Sequence, residues 1–189
     1  MDYRKLELSL LKLYHLVCNV RQPQIDRFER YWDEGRTWAK EYRSPLNLTL
    51  REMKEIAGCP VYSRRIRGCR AYYRNFLTEC IVLDSRYKGP ERIILFLHEL
   101  AHKLDDVRDK RYYRELVAES CSYIVAEYFK IINRAAPFYI AAYMRGRGGA
   151  HDILRLSPRI MKVSLEIVRR IEKILAEKKH KRKRRRTKK

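Results

Sequence analysis

No run of about 18 apolar residues occurs in this chain, so no part of it is expected to cross a membrane as a helix. None of its five cysteines (Cys18, Cys59, Cys69, Cys80 and Cys121) forms a CxxC pair, which argues against a structural zinc knuckle. Acids are scarce, with 23 Asp and Glu against 44 Lys and Arg for a net charge of +21. The amino terminus lacks an apolar secretory core followed by a small-residue cleavage site. Met1-Asp2-Tyr3-Arg4-Lys5 leads directly into an amphipathic pattern. The expectation is a soluble, cytoplasmic chain, nucleoid-associated or virus-encoded, with reduced thiols.

Amides are also few. Two glutamines and four asparagines stand beside 14 tyrosines and abundant arginine, a composition similar to that of proteins from hot environments, where intracellular disulfides do occur. Cys59, Cys69 and Cys80 fall in three successive predicted strands, which brings one pair within reach of a bridge.

With 46% hydrophobic residues, a length of 189 residues suits one domain with a real core. The positive charge is partly local. Residues 177–189 hold ten basic residues and one acid, a net +9 of the total +21, so residues 1–176 still carry +12. A basic body with a more basic tail suits a polyanion, DNA or RNA, rather than a membrane. Lys181, Arg182, Lys183, Arg184, Arg185 and Arg186 are the expected nucleic-acid contacts.

Helical spacing of Leu6, Leu10, Leu13 and Val17 predicts a helix over 3–20, and Ile25, Phe28, Trp32 and Trp38 predict a second over 24–43. Thr49-Leu50-Arg51-Glu52 reads as a capping box that opens a short helix ending at Gly58. Cys59–Arg65, Arg70–Asn75 and Cys80–Ser85 are short and rich in Tyr, Val and Ile, and read as a three-stranded antiparallel meander. Helices are predicted again over 91–106, 112–131 and 137–145. A long one starts near 157 and enters the tail, after a glycine-rich joint at Gly146-Arg147-Gly148-Gly149. The class is α+β. Residues 1–58 form an N-terminal helical segment that joins a core over 59–176, and 177–189 form a disordered basic tail.

The chemistry concentrates at His98-Glu99-Leu100-Ala101-His102. Two histidines four apart on a helix share one face, so both imidazoles can reach one metal ion, and Glu99 stands beside the ion as a base for its water. The surrounding helix is apolar nearly all round (Ile93, Ile94, Leu95, Phe96, Leu97, Leu100, Leu104). It is therefore expected to be buried, where unpartnered histidines cost several kcal/mol and a metal compensates. A third histidine at the spacing HExxHxxGxxH is missing, because Asp105 and Arg108 occupy those positions. The next predicted helix instead carries Glu115 and Glu119 on one face. One is expected on the metal and the other against the free N–H of a histidine, with Glu119 the preferred ligand and Glu115 the alternative. Tyr123, Tyr139 and Tyr143 are the possible oxyanion donors. Ile81-Val82-Leu83, just before the active-site helix, is a strand on which an extended peptide could pair. Asp105 and Asp106 either support a ligand histidine or end the helix, the second being preferred. His151 is expected in an exposed loop.

HELAH at 98–102, ELVAESCSYIVAEYF at 115–129 and FYIAAY at 138–143 make the stretch from Cys80 to about Ile174 resemble the zincin-like metallopeptidase domains of the ImmA/IrrE and ArdC antirestriction group. The resemblance implies a zincin-like fold with a small antiparallel or mixed three-stranded sheet, an HExxH helix and a following helix that supplies a glutamate. It implies one Zn2+ per chain on His98, His102 and Glu119, Glu99 as general base, and hydrolysis of a protein or peptide near nucleic acid. Two features of the group are missing. Only about 58 residues precede the sheet, too few for a single-stranded-DNA-binding domain, and no helix-turn-helix repressor is visible. The alternative is a nucleic-acid-binding or antirestriction protein of a mobile element or virus, with a structural or vestigial metal site. A Spartan-like DNA-dependent protease ranks lower, because it needs a third histidine; the intact Glu99 favours hydrolysis.

Overall fold

The computed structural model describes residues 2–33, 42–145 and 150–186. Its elements run α1 (Tyr3–Cys18), α2 (Gln22–Asp33), β1 (Tyr42–Arg43), α3 (Leu50–Ala57), β2 (Val61–Arg64), β3 (Ala71–Arg74), β4 (Cys80–Asp84), α4 (Gly89–Leu104), α5 (Arg111–Tyr128), β5 (Ile132–Asn133), α6 (Ala136–Met144), α7 (His151–Arg155) and α8 (Ser157–Arg186). The chain is α+β and mostly helical.

Each helix starts and stops for a local reason. Asp2 caps α1 by accepting from the Lys5 backbone N–H at 3.1 Å, and Leu6, Leu10, Leu13 and Val17 are buried, the face that packs on α5. The capping box of α3 forms as the sequence indicates. Thr49 Oγ1 accepts from the Glu52 N–H at 3.3 Å, and Glu52 Oε2 accepts from the Thr49 N–H at 2.8 Å. Gly58 ends that helix at φ +68°, a conformation that side chains with a Cβ enter only with strain. α8 holds Ile160, Val163, Ile167, Val168, Ile171 and Ile174 in the core and closes the C-terminal end of α3, where Arg170 Nη1 donates to the Ile56 and Ala57 carbonyls at 3.3 and 3.5 Å. Lys178 adds an ion pair with Glu52.

The sheet corrects the predicted meander. Its order is β2-β4-β3, with β4 parallel to β2 and antiparallel to β3. The reason lies in the pattern of β4. Cys80, Ile81, Val82, Leu83 and Asp84 are all buried, so this strand needs cover on both faces and both edges, whereas the half-exposed β2 and β3 suit the edges. Because both edges of β4 are already paired, it has no edge to offer a peptide, and the expectation of substrate pairing on Ile81-Val82-Leu83 is overturned. Residues 65–70 therefore have to cross from β2 to β3. Asp84 pins that crossover. Its carboxylate accepts from the Ile66 N–H at 3.3 Å and from the Arg86 side chain at 2.6 and 3.0 Å, and Arg86 Nη2 in turn donates to the Ile66 carbonyl at 3.3 Å.

Other expectations shift. The second predicted helix, 24–43, becomes α2 as far as Asp33. Residues 34–41, Trp38 among them, lie outside the described residues, as does the joint at 146–149, while the last two predicted helical residues, Tyr42 and Arg43, instead form β1 and pair with β5. The segment from 177, expected to be a disordered tail, continues α8 as helix to Arg186. Of the six predicted nucleic-acid contacts, Lys181 and Arg184 are exposed, and the side chains of Arg182, Lys183, Arg185 and Arg186 lie outside the described residues. All five thiols are free. Cys59 and Cys80 are buried and Cys69 is exposed on the crossover, so no bridge forms among them. No helix among the described residues is long and apolar enough to cross a membrane.

The Arg86 guanidinium and two backbone N–H groups hold Asp84 down to a pKa of about 2, against the opposing effect of burial. A depressed carboxylate stabilises the fold above the ordinary carboxylate range and loses that contribution as pH falls toward about 2. Asp84→Ala should destabilise the chain by about 1–3 kcal/mol in urea denaturation at pH 7, and the difference from wild type should shrink in acid.

Candidate metal centre

α4 and α5 pack along each other, and the Ser122 hydroxyl of α5 donates to the Ile94 carbonyl of α4 at 3.2 Å, which sets their register. Small residues at Ala101, Ala118 and Ser122 sit in the buried part of these helices. This register brings two i,i+4 pairs face to face, His98 and His102 from α4 with Glu115 and Glu119 from α5. All four are largely buried, with side chains 16%, 12%, 19% and 13% exposed.

Three ligand atoms converge. His98 Nε2 and His102 Nε2 lie 3.1 Å apart, and Glu115 Oε2 is 3.5 Å from the first and 3.6 Å from the second. Tetrahedral zinc with ligands at about 2.0–2.1 Å separates its ligand atoms by about 3.3–3.4 Å, so this triangle has the size of one face of such a site. Among the described residues, His98, His102 and Glu115 form the group that can hold a metal ion. The donors fit zinc, which takes imidazole and carboxylate, and three protein ligands leave a fourth position open.

Glu119 does something else. Its Oε2 lies 2.9 Å from His98 Nδ1, on the far side of the ring from the convergent atoms. There it accepts the Nδ1–H, so that Nε2 is the nitrogen that gives up its proton when an ion enters the group. In this geometry Glu115, the alternative ligand of the sequence reading, converges with the histidines, and the preferred Glu119 takes the position behind His98. The spacing of four residues put both on the right face but could not say which turn of α5 lies opposite the gap between the histidines. His102 Nδ1 is buried and has no protein hydrogen-bond partner among the described residues.

The charges are coupled. Burial opposes a charge on His98, but hydrogen bonds to Glu115 and Glu119 outweigh it and push the pKa up to about 10. Burial also opposes ionisation of Glu115, and the two histidines overcome it and hold the carboxyl well below its ordinary range. Glu99, 8% exposed, is the opposite case. Burial raises its pKa, and the two histidines and the Tyr73 backbone N–H offset this only in part.

The remaining predicted residues sort clearly. Burial raises the Tyr139 hydroxyl, and Glu119 and Glu115 raise it further, so it stays protonated beside the carboxylates. It heads a stack in which Tyr139 and Tyr143 centroids are 6.1 Å apart and Tyr143 and Tyr112 are 5.9 Å apart. Tyr123 is buried in the core, and the carboxylate that acts on it is Glu127. Asp105 ends α4 and is gripped by Arg159 at 2.7 and 2.6 Å, and Asp106 meets Lys162 at 3.3 Å, so neither supports a histidine. His151 opens α7 with its ring 6.3 Å from Tyr14, and is not part of the group. Sequence reasoning missed Arg111, whose Nε is 3.7 Å from the second oxygen of Glu115; an arginine four residues before that glutamate was the available signal.

Neither models of known protein families, nor curated proteins, nor solved structures yield a match to this chain.

Two outcomes follow for zinc titrations. Glu115→Gln should abolish tight binding, whereas Glu119→Gln should retain one ion at about 10–100-fold lower affinity, read by competition with a chromophoric chelator. With its pKa near 10, His98 holds a proton at pH 7 that an ion must displace. Calorimetry in buffers of different ionisation enthalpy should therefore show proton release. Affinity should rise about tenfold per pH unit for each proton displaced.

Proposed function

We propose that this chain is a zinc-dependent peptidase whose ion is held by His98, His102 and Glu115. The observation that carries the reading is the convergence of three ligand atoms at 3.1, 3.5 and 3.6 Å, with a buried Glu99 between the two histidines. Three ligands leave a position free for chemistry, whereas a structural site closes all four. A glutamate between the ligands has no use in a structural site. Zinc bound there supplies the Lewis acidity that polarises a scissile carbonyl and acidifies a water.

The rest is the work of the chain. Glu99 is placed to take a water proton and deliver it to the leaving amine, a task suited to a carboxyl whose pKa burial raises. Tyr139, protonated and beside Glu115 and Glu119, can donate to the oxyanion that develops on the carbonyl oxygen. Glu119 fixes the ring of His98 through Nδ1. An extended substrate has a sheet edge to join. Among the described residues β3 pairs with β4 alone, and its Tyr73 backbone N–H acts on Glu99, so a peptide added to the other edge of β3 would lie beside the base. The positive charge of the body and of α8 supports action on polypeptides bound to, or near, nucleic acid.

The test is hydrolysis of an unfolded protein such as casein by the zinc-loaded chain. Glu99→Gln should lower the rate by about 10²–10⁴-fold while the zinc content stays at one per chain. Equal rates for Glu99→Gln and wild type, or no cleavage by the zinc-loaded wild type, would contradict the proposal.

A further inference from the structure

One face of the three-stranded sheet has no part in the metal centre. Val61, Ile81, Leu83, Ala71 and Tyr73 point into the helical core. Strand alternation therefore turns Tyr62 and Arg64 of β2, Cys80, Val82 and Asp84 of β4, and Tyr72 and Arg74 of β3 to the opposite face. Tyr62 and Tyr72 are both in register with Val82, so they form one row across the sheet, two strand spacings or about 10 Å apart. Val82 beneath them is buried, while Tyr62 is 53% exposed.

Arginine frames this row. Arg64 Nη2 donates to the Tyr72 hydroxyl at 2.7 Å, and Arg74 is anchored at the other end by the Thr78 hydroxyl at 2.7 Å. Arg64, Arg65, Arg67 and Arg74 are all exposed. Neither Arg65 nor Arg67 is paired with an acid among the described residues. The acid among the seven strand positions, Asp84, is buried and neutralised by Arg86. The Asp84 clamp also holds the crossover that carries Arg65 and Arg67, so these charges are presented on a fixed backbone.

An exposed ring (Tyr62) in line with a half-buried one (Tyr72), flanked by guanidinium groups with no free acid among them, is what stacking on bases and neutralising phosphates requires. An acidic peptide would use the arginines and leave the tyrosine row idle. A duplex would likewise meet only the charges, since its bases are already stacked.

We propose that the outer face of the three-stranded sheet binds single-stranded nucleic acid, with Tyr62 and Tyr72 stacking on bases while Arg64, Arg65, Arg67 and Arg74 meet the phosphates. The site is distinct from the metal centre and stands or falls without it. If both are present, the sheet holds the strand while the other side of the same β3 serves the peptidase site, which would bring nucleic-acid-bound polypeptides to Glu99.

The experiment uses the full chain and fluorescence anisotropy with a dye-labelled oligo-dT of about 20 nucleotides and a duplex of equal length. Tyr62→Ala should weaken oligo-dT binding at least about fivefold and change duplex binding by less than about twofold, because a lost stack matters only to an unpaired base. Tyr62→Phe, which keeps the ring, should bind as wild type does. In wild type, photo-crosslinks from an oligonucleotide carrying 5-iodouracil should map to residues 61–74. The proposal is overturned if Tyr62→Ala binds oligo-dT as wild type does, if crosslinks map only to residues 177–189, or if polyglutamate displaces oligo-dT as well as unlabelled oligo-dT does. The last outcome would assign the face to acidic polypeptides.

Discussion

The register between α4 and α5 is the constraint on which the rest depends. Each helix places two functional residues one turn apart, and the packing of one helix on the other decides whether the pairs meet. The Ser122 to Ile94 hydrogen bond and the small residues around it fix that alignment, so His98 and His102 face Glu115 while Glu119 backs His98. A slide of one residue along α5 would rotate its face by about 100° and carry both carboxylates away from the imidazoles. The other elements serve this contact. α8 and α1 cover α5 from outside, and the sheet supports α4 through β3 and β4.

Burying two imidazoles and three carboxylates in one region carries a large desolvation cost, and the arrangement offsets it in two ways. Without an ion, His98 keeps a proton and sets a positive charge between Glu115 and Glu119. With an ion, the convergent nitrogens and oxygen have a cation in the proton's place. A single set of side chains could thus hold either occupant, with lower pH favouring the proton. Glu99 stands outside the ion pairs, and burial raises its pKa.

Much of this was legible in the sequence. The helical faces of α1, α4 and α5, the capping box at Thr49 and the stop at Gly58 all follow from local periodicity and cap chemistry, and the structure has them within a few residues. The HELAH segment and the pair Glu115 and Glu119 were visible as spacings. What spacing could not convey was three-dimensional order. The sheet was read as a meander because successive strands usually pair, yet the unbroken apolar run Ile81-Val82-Leu83 belonged in the middle. The roles of the two glutamates depended on a helix–helix register that no local pattern encodes. α7 and the pairing of β1 with β5 went unseen, since five and two residues are too short to show a period.

The central claim is that two histidines and one carboxylate of this chain hold a single zinc with a position left open. X-ray absorption at the zinc edge, on the chain loaded with one equivalent of zinc, tests it most directly. The account predicts nitrogen and oxygen scatterers at about 2.0–2.1 Å, multiple-scattering features of two imidazoles, and a total coordination number of about four. A sulfur shell at about 2.3 Å, the signature of one or no imidazole, or six light ligands typical of a loosely held ion would contradict it.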